Sequence, residues 1–440
     1  MATSARDLHI DEEELFELAL DLANIDSPSG REGEAAQFVY EWMVKNHIPA
    51  KKVGMFPDRF NVLGRIEGGD DGFSMIFNSH LDTGRDPDDH WSMRHADAPI
   101  YHSGWRKEGR LYGEGIVNDK GPMAAWLIAA KAILNSGVEL RGDLLLSAVP
   151  GEIGVEPVDE FEAPRYMSKE AGARWLIQHG GVADFALVAE GTDFRTTWIE
   201  AGKAFFKITV FGEDQIYTPF GQDNPVDAQH PNAIVRASLL VPVIQEWART
   251  YMERFRYEAT GGTIEPKVVI GAMRGGNAYH VTRTSELCAL YLDVRTVPNQ
   301  DPLEIRRELK ELVRDFGVPA DVELFLYRRS YEADDPGELL ESIERSHKEM
   351  FGDEVKMADP VFSSMWRDLL LFNEMGIPAI TYGPGVAKKI RQEEGPGDTP
   401  LGGHLNMPEG ELVKAARVYG AIALDLCQRE KPRSAPPRPT

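Results

Sequence analysis

Two rhythms of apolar and polar positions run along this chain of 440 residues. In 11–27, Leu15, Leu18, Leu20, Leu22 and Ile25 recur among acids at helical spacing. Residues 32–45 repeat the pattern, so two amphipathic helices are expected, parted by Ser27-Pro28-Ser29-Gly30. Short unbroken apolar runs follow at 61–66, 74–78, 143–149, 185–189 and 379–382. Runs this short and this apolar read as strands buried on both faces. Helical stretches at 121–135 and 409–426 stand between and after them, with Pro122 tolerated in a first turn. Strands alternating with helices imply an α/β fold with a mostly parallel sheet.

Between about 197 and 330 the texture changes. Partial alternation at 204–211, 268–273 and 286–294 predicts strands, and 232–250 and 302–316 predict helices. This is a compact α+β unit inserted into the α/β domain. The expected division is 1–196 with 331–440 for the first domain and 197–330 for the insert. Asp334-Asp335-Pro336-Gly337 marks the return, and the Pro- and Arg-rich 428–440 is expected to be a disordered tail.

Charge narrows the partners. There are 71 acidic and 48 basic residues, for a formal net charge of −23. That balance argues against nucleic acid and anionic membrane. The two cysteines, Cys288 and Cys427, have no paired spacing, which excludes a disulfide framework and a Cys-based zinc site. The N-terminus shows neither a basic nor an apolar leader segment, and no apolar run reaches membrane-spanning length. A cytoplasmic location is expected.

Several apolar strands end in metal-binding side chains: SMIFNSH at His80, LLLSAVPGE at Glu152, FALVAE at Glu190. AITYGPG leads through a loop to His404, and Asp119 stands just before a helix. In an open parallel sheet ligands gather outside the carboxyl ends of the strands, so these side chains should meet in one crevice. Two histidines and three carboxylates make a nitrogen–oxygen set that suits zinc, manganese or cobalt. Asp82, two residues after His80, is placed to orient a ligating imidazole.

The segments NSHLD (78–82), GRLYGEGIVNDKGPMAA (109–125), GEIG (151–154), VAEGT (188–192), GPG (383–385) and GHLNMPEG (403–410) follow one another in a familiar order. With VFG, HPNAIVRA, GGNA and LDVRTVP in the insert, they resemble the M20 family of metallopeptidases and amidohydrolases. The resemblance covers nearly the whole chain. It implies a divalent metal centre of one or two ions, with Asp119 bridging, His80 and Glu190 on one ion, and Glu152 and His404 on the other. Asp82 and Glu152 would be the catalytic pair, and the insert a lid through which the protein forms a homo-oligomer. The implied activity is hydrolysis of a C–N bond in a small, carboxylate-bearing molecule by metal-activated water. Arg295 falls where the family has an arginine able to grip a carboxylate.

The sequence also departs from the pattern. The family carries two adjacent glutamates, the first a general base, and here the pair reads Gly151-Glu152. Glu156 and Asp159 are the nearest acids that could replace the missing base. In the lid, the position of the family's oxyanion histidine is Ile216, followed by Tyr217, and His280 replaces an asparagine. Tyr217, His230 and His280 are therefore further substrate-contact candidates. These changes keep open a 5-nitroanthranilate aminohydrolase-like reading, in which ammonia leaves an aromatic ring. They also keep open a relative that binds metal without catalysis.

Overall fold

The computed structural model describes residues 8–84, 98–154, 156–161, 167, 169–213, 215–385 and 405–432. The chain folds into two units. The first runs to Trp198 and takes in Ala333–Ala358 and the chain from Arg367 onward. The second holds Ile199–Glu332 and Asp359–Trp366. The insert thus begins and ends two residues beyond the expected 197–330. Asp359–Trp366 joins it as well, which local sequence pattern does not announce.

In chain order the first unit opens with α1 (Glu12–Ala23), α2 (Gly33–Lys45), β1 (Ala50–Phe56), β2 (Arg59–Ile66) and β3 (Met75–His80). Next come β4 (Trp105–Lys107), β5 (Arg110–Tyr112), α3 (Lys120–Ser136), β6 (Leu144–Val149), α4 (Ala171–Gln178) and β7 (Phe185–Val188). The second unit contributes β8 (Ile199–Glu200), β9 (Gly202–Phe211), α5 (Ala233–Arg254), β10 (Tyr257–Ala259), β11 (Gly262–Ile264), β12 (Val268–Gly275), β13 (Leu287–Thr296), α6 (Pro302–Phe316), β14 (Ala320–Arg328) and β15 (Tyr331–Glu332). After α7 (Gly337–Phe351) and the short α8 (Pro360–Ser363), the first unit closes with α9 (Leu369–Glu374), β16 (Ala379–Thr381), β17 (Asn406–Pro408) and α10 (Glu409–Cys427).

The first unit is built on a six-stranded sheet ordered β1-β2-β6-β3-β7-β16. β6, β3, β7 and β16 run parallel, and the β1-β2 hairpin adds an antiparallel edge. Every residue of β3, β6, β7 and β16 is buried, as strands covered on both faces require. β1 is largely exposed, which is why no apolar run revealed it.

The alternation in β3 decides what faces the chemistry. Phe77 stacks on Trp126 of α3, and Trp126 Nε1 donates to Ser79 Oγ at 2.8 Å. Ile76, Asn78 and His80 therefore point to the opposite face. Helices α3 and α10 pack on each other and fill the Phe77 side with alanine, leucine and isoleucine. Gly137 ends α3 in the left-handed conformation, with φ 71°.

The second unit is a four-stranded antiparallel sheet, β12-β13-β9-β14, with α5 and α6 packed against it. Asn232 caps α5 through the Ile234 amide, and Asp301 caps α6 through Leu303. Pro302 opens α6 and Gly317 closes it.

Two expectations need adjusting. Helix α7 had no forecast, because its buried stripe mixes Leu339 and Ile343 with Ser342, Ser346 and His347. Residues 428–432, expected within the tail, make defined contacts. Arg429 bonds Asp425 at 2.9 Å and also Glu338, and Lys431 pairs with Asp184. Residues 433–440 lie outside the described residues.

Candidate metal centre

His80, Asp119 and Glu190 meet in the first unit, all three buried, with one donor atom from each lying within 4.8 Å of the others. Three separate elements bring them there. His80 closes β3, Glu190 follows β7 after two residues, and Asp119 precedes α3. β3 and β7 pair in parallel, so their carboxyl ends open on the same edge. Asp119 Oδ2 accepts from the His80 amide at 3.2 Å. Its Oδ1 is buried and has no partner among the described residues. Glu152 joins from the loop after β6, with an oxygen 3.9 Å from His80 Nε2.

Asp82 does more than its spacing implied. His80 Nδ1 sits 2.9 Å from the backbone carbonyl of Asp82, whereas the nearest Asp82 carboxylate oxygen is 3.6 Å away. The carbonyl is the nearer partner of the imidazole, and the carboxylate faces the same nitrogen from farther off. The carboxylate also accepts four backbone amides of the glutamate-bearing loop. Gly151 and Glu152 reach Oδ1 at 3.0 Å each, and Ile153 and Gly154 reach Oδ2 at 2.8 and 3.1 Å. Asp82 therefore pins the loop that carries Glu152. Ser29 adds a bond to the same carboxylate at 3.3 Å. Gly151 takes φ 80°, the left-handed region that glycine enters most easily.

Three partners of this site gave no sequence signal. Arg367 Nε donates to Glu190 Oε2 at 2.9 Å, with both side chains nearly buried. Asp368 accepts from Asn78 Nδ2 at 2.9 Å, on the His80 face of β3, and its other oxygen is buried without a partner among the described residues. Glu32 pairs with Arg59 at 3.0 Å, both buried beneath the loop that holds Ser29. These contacts join residues up to 290 positions apart, so no local pattern could reveal them.

The electrostatics of the protein alone show a surplus of buried carboxyl groups. Burial, with Glu190 adding to it and His80 opposing, holds Asp119 well above the usual carboxylate range. Burial and then Glu152 push Glu190 up to about 7, against Arg367. Burial and Glu152 raise Asp368 well above its ordinary value. Burial opposes the charge on His80 and on Asp82, yet mutual attraction raises the first and lowers the second. A divalent cation is the partner that lets such a cluster ionise, and its binding displaces the protons. The donor set therefore fits a divalent metal. His404, the fifth predicted ligand, lies outside the described residues.

The lid candidates fall in the second unit. His280 lines a cavity of about 500 Å³ with Arg274, Asn277, Arg283 and Thr284. Tyr217 is 48% exposed and bridges to Arg283. His230 is half-buried and its Nδ1 accepts the Asn232 amide at 3.1 Å, just before α5. Arg295 is held by Asp293 two residues earlier, through bonds of 2.9 and 3.2 Å to one oxygen. Glu156 is half-buried and Asp159 exposed.

The peptidase family M20/M25/M40 pattern matches residues 76–424. The chain belongs to this family. It is a hydrolase acting on C–N bonds. Among curated relatives, N-formyl-4-amino-5-aminomethyl-2-methylpyrimidine deformylase of Bacillus subtilis (strain 168) is 26% identical over 411 residues, covering 85% of this chain and 87% of its own. Human carnosine dipeptidase 1 shares the fold at a TM-score of 0.69 with 13% identity, covering 97% of this chain and 98% of that one. The Bacillus subtilis YXEP protein, a dinuclear metal-binding peptidase of the M20 family, aligns at a TM-score of 0.58 with 15% identity over 94% of this chain and 97% of its own. Among the described residues no helix is long and apolar enough to cross a membrane.

Proposed function

We propose that this M20 member hydrolyses an amide C–N bond in a small N-acyl or N-formyl compound. The observation that carries the reading is the convergence of His80, Asp119 and Glu190 within 4.8 Å, with Glu152 beside them. In this reading His80, Asp119, Glu152, Glu190 and His404 hold one or two divalent ions. Zinc, manganese and cobalt all suit such a set. When bound, the metal supplies an activated water and polarises the scissile carbonyl. The protein's own part is to fix the geometry. Asp82 fixes the Glu152 loop, the Asp82 carbonyl fixes the His80 ring, and Arg367 fixes Glu190. Position 151 offers no side chain to carry a proton to the leaving amine. A formamide suits such a site because its small acyl group leaves room for a solvent-borne proton. The deformylase relative points to the same substrate class.

The cavity of the second unit, where Arg274 and Arg283 stand beside His280, is by itself suited to a carboxylate-bearing small molecule. The second unit also carries the expected homo-oligomer contact, and the substrate is a free small molecule in a cytoplasmic setting.

The test is a side-by-side assay of the manganese- or zinc-loaded protein on N-formyl amines, N-acyl amino acids, dipeptides and amino-nitrobenzoates. Free amine from the formyl or acyl compounds is the expected result. Ammonia from the aromatic amines alone would replace amide hydrolysis with displacement at a ring carbon. No turnover of any class by fully metallated protein would leave only metal binding.

A further inference from the structure

Arg367 is a buried cation set against one of the three convergent side chains. Its Nε lies 2.9 Å from Glu190 Oε2, and the two side chains are 4% and 6% exposed. Its Nη2 lies 3.4 Å from the carbonyl of Gly191, the next residue after Glu190. The guanidinium therefore touches both the carboxylate and the backbone that carries it. Gly383 closes the other side. A Cβ there would stand 2.5 Å from the Glu190 carbonyl oxygen, so the Glu190 backbone has little room to shift.

A carboxylate has two oxygens. A guanidinium holding one of them in a buried site leaves the other for a cation. The guanidinium and a divalent ion on the same carboxylate also repel, and burial screens that repulsion weakly. Without the ion, the same guanidinium is the counter-charge that lets Glu190 stay in place. We infer that Arg367 is a positioning residue of the metal centre: it confines Glu190 to ligation through one oxygen and lowers the affinity of the ion that Glu190 serves. This rests on the reading of His80, Asp119 and Glu190 as metal ligands.

The experiment is a calorimetric titration of the metal-stripped full chain with Mn²⁺, comparing the wild type with Arg367→Gln and Arg367→Lys. Glutamine keeps an N–H donor and much of the size but removes the charge. Lysine keeps the charge. The expected result is that, at pH 8, Arg367→Gln binds one Mn²⁺ at least about tenfold more tightly, while Arg367→Lys stays near the wild type. Wild-type or weaker binding by a natively folded Arg367→Gln protein overturns the inference. Should that variant not fold, a crystal structure of the Mn²⁺-loaded wild type decides. Nε still on Oε2, with Oε1 alone on the ion, supports the inference, and both oxygens on the ion overturn it. A wild type that binds no Mn²⁺ overturns the metal centre itself, a result distinct from an unmoved variant.

Discussion

The candidate metal cradle of the first unit and the cavity of the second are built in opposite ways. In the cradle, His80, Asp119, Glu152 and Glu190 are all at most 5% exposed, and Ile153 and Gly154, which follow Glu152, are half-buried. Around the cavity, His280, Arg274 and Arg283 are exposed, and the adjacent Tyr279 is 89% exposed. Cradle residues are held by bonds to distant parts of the chain. Cavity residues stand on the edge strand β12 and the turn after it, and Arg283 Nη1 donates to Gln215 Oε1 at 3.1 Å. The contrast separates two tasks. On the proposed reading, holding a cation needs fixed, desolvated donors, whereas contacting a substrate can be left to exposed side chains.

That division can be broken most decisively at Asp119. Asp119→Ala should reduce turnover to background and lower bound metal, read by activity assay and metal analysis on the same sample. Full activity in this variant would remove the cradle from the chemistry.

Asp82 tests whether rigidity itself matters. Asp82→Ala frees four loop amides, and its activity should fall roughly 10–100-fold with a matching loss of metal affinity. Asp82→Asn should be milder, since its amide oxygen still accepts two of the four bonds.

The third test is pH. Glu190 and Glu32 each stand at about 7, above an ordinary glutamate, chiefly through burial. A raised carboxyl stabilises the fold while protonated, and that stability is lost as pH rises through the folded value. The metal-free protein should therefore melt at lower temperature at pH 8 than at pH 5. The rise in melting temperature on adding metal should be larger at pH 8, because the ion no longer competes with protons at Glu190. Differential scanning fluorimetry with and without Mn²⁺ checks both signs.

The smallest effects should lie in the cavity. Arg274→Met removes a charge-assisted contact of about 1.5–3 kcal/mol, so KM should rise roughly tenfold or more with kcat little changed. Arg295→Met should leave KM nearly unchanged, because Arg295 already serves Asp293. The reverse ranking would move the carboxylate anchor to β13.

The cradle was legible in the sequence for a physical reason. Parallel strands announce themselves as short apolar runs, and their carboxyl ends must lie together, so His80, Glu152 and Glu190 could be grouped before any coordinates. Asp82's place beside His80 follows from spacing, but its four bonds to the Glu152 loop do not, because spacing shows which face a side chain shares and not every atom it meets. Arg367 and Asp368 escaped notice because they lie near 190 and 78 only after folding. The missed strand β1 and helix α7 have mixed surfaces, and pattern weakens where burial is partial.

The left-handed backbone at Gly151 bears on redesign. Any other residue there would carry strain of about 1–2 kcal/mol in a loop that Asp82 already holds at four points. Restoring the glutamate by a single codon change would therefore strain the very loop that presents Glu152. A side chain at 151 is therefore best introduced together with changes at the loop positions that set this backbone.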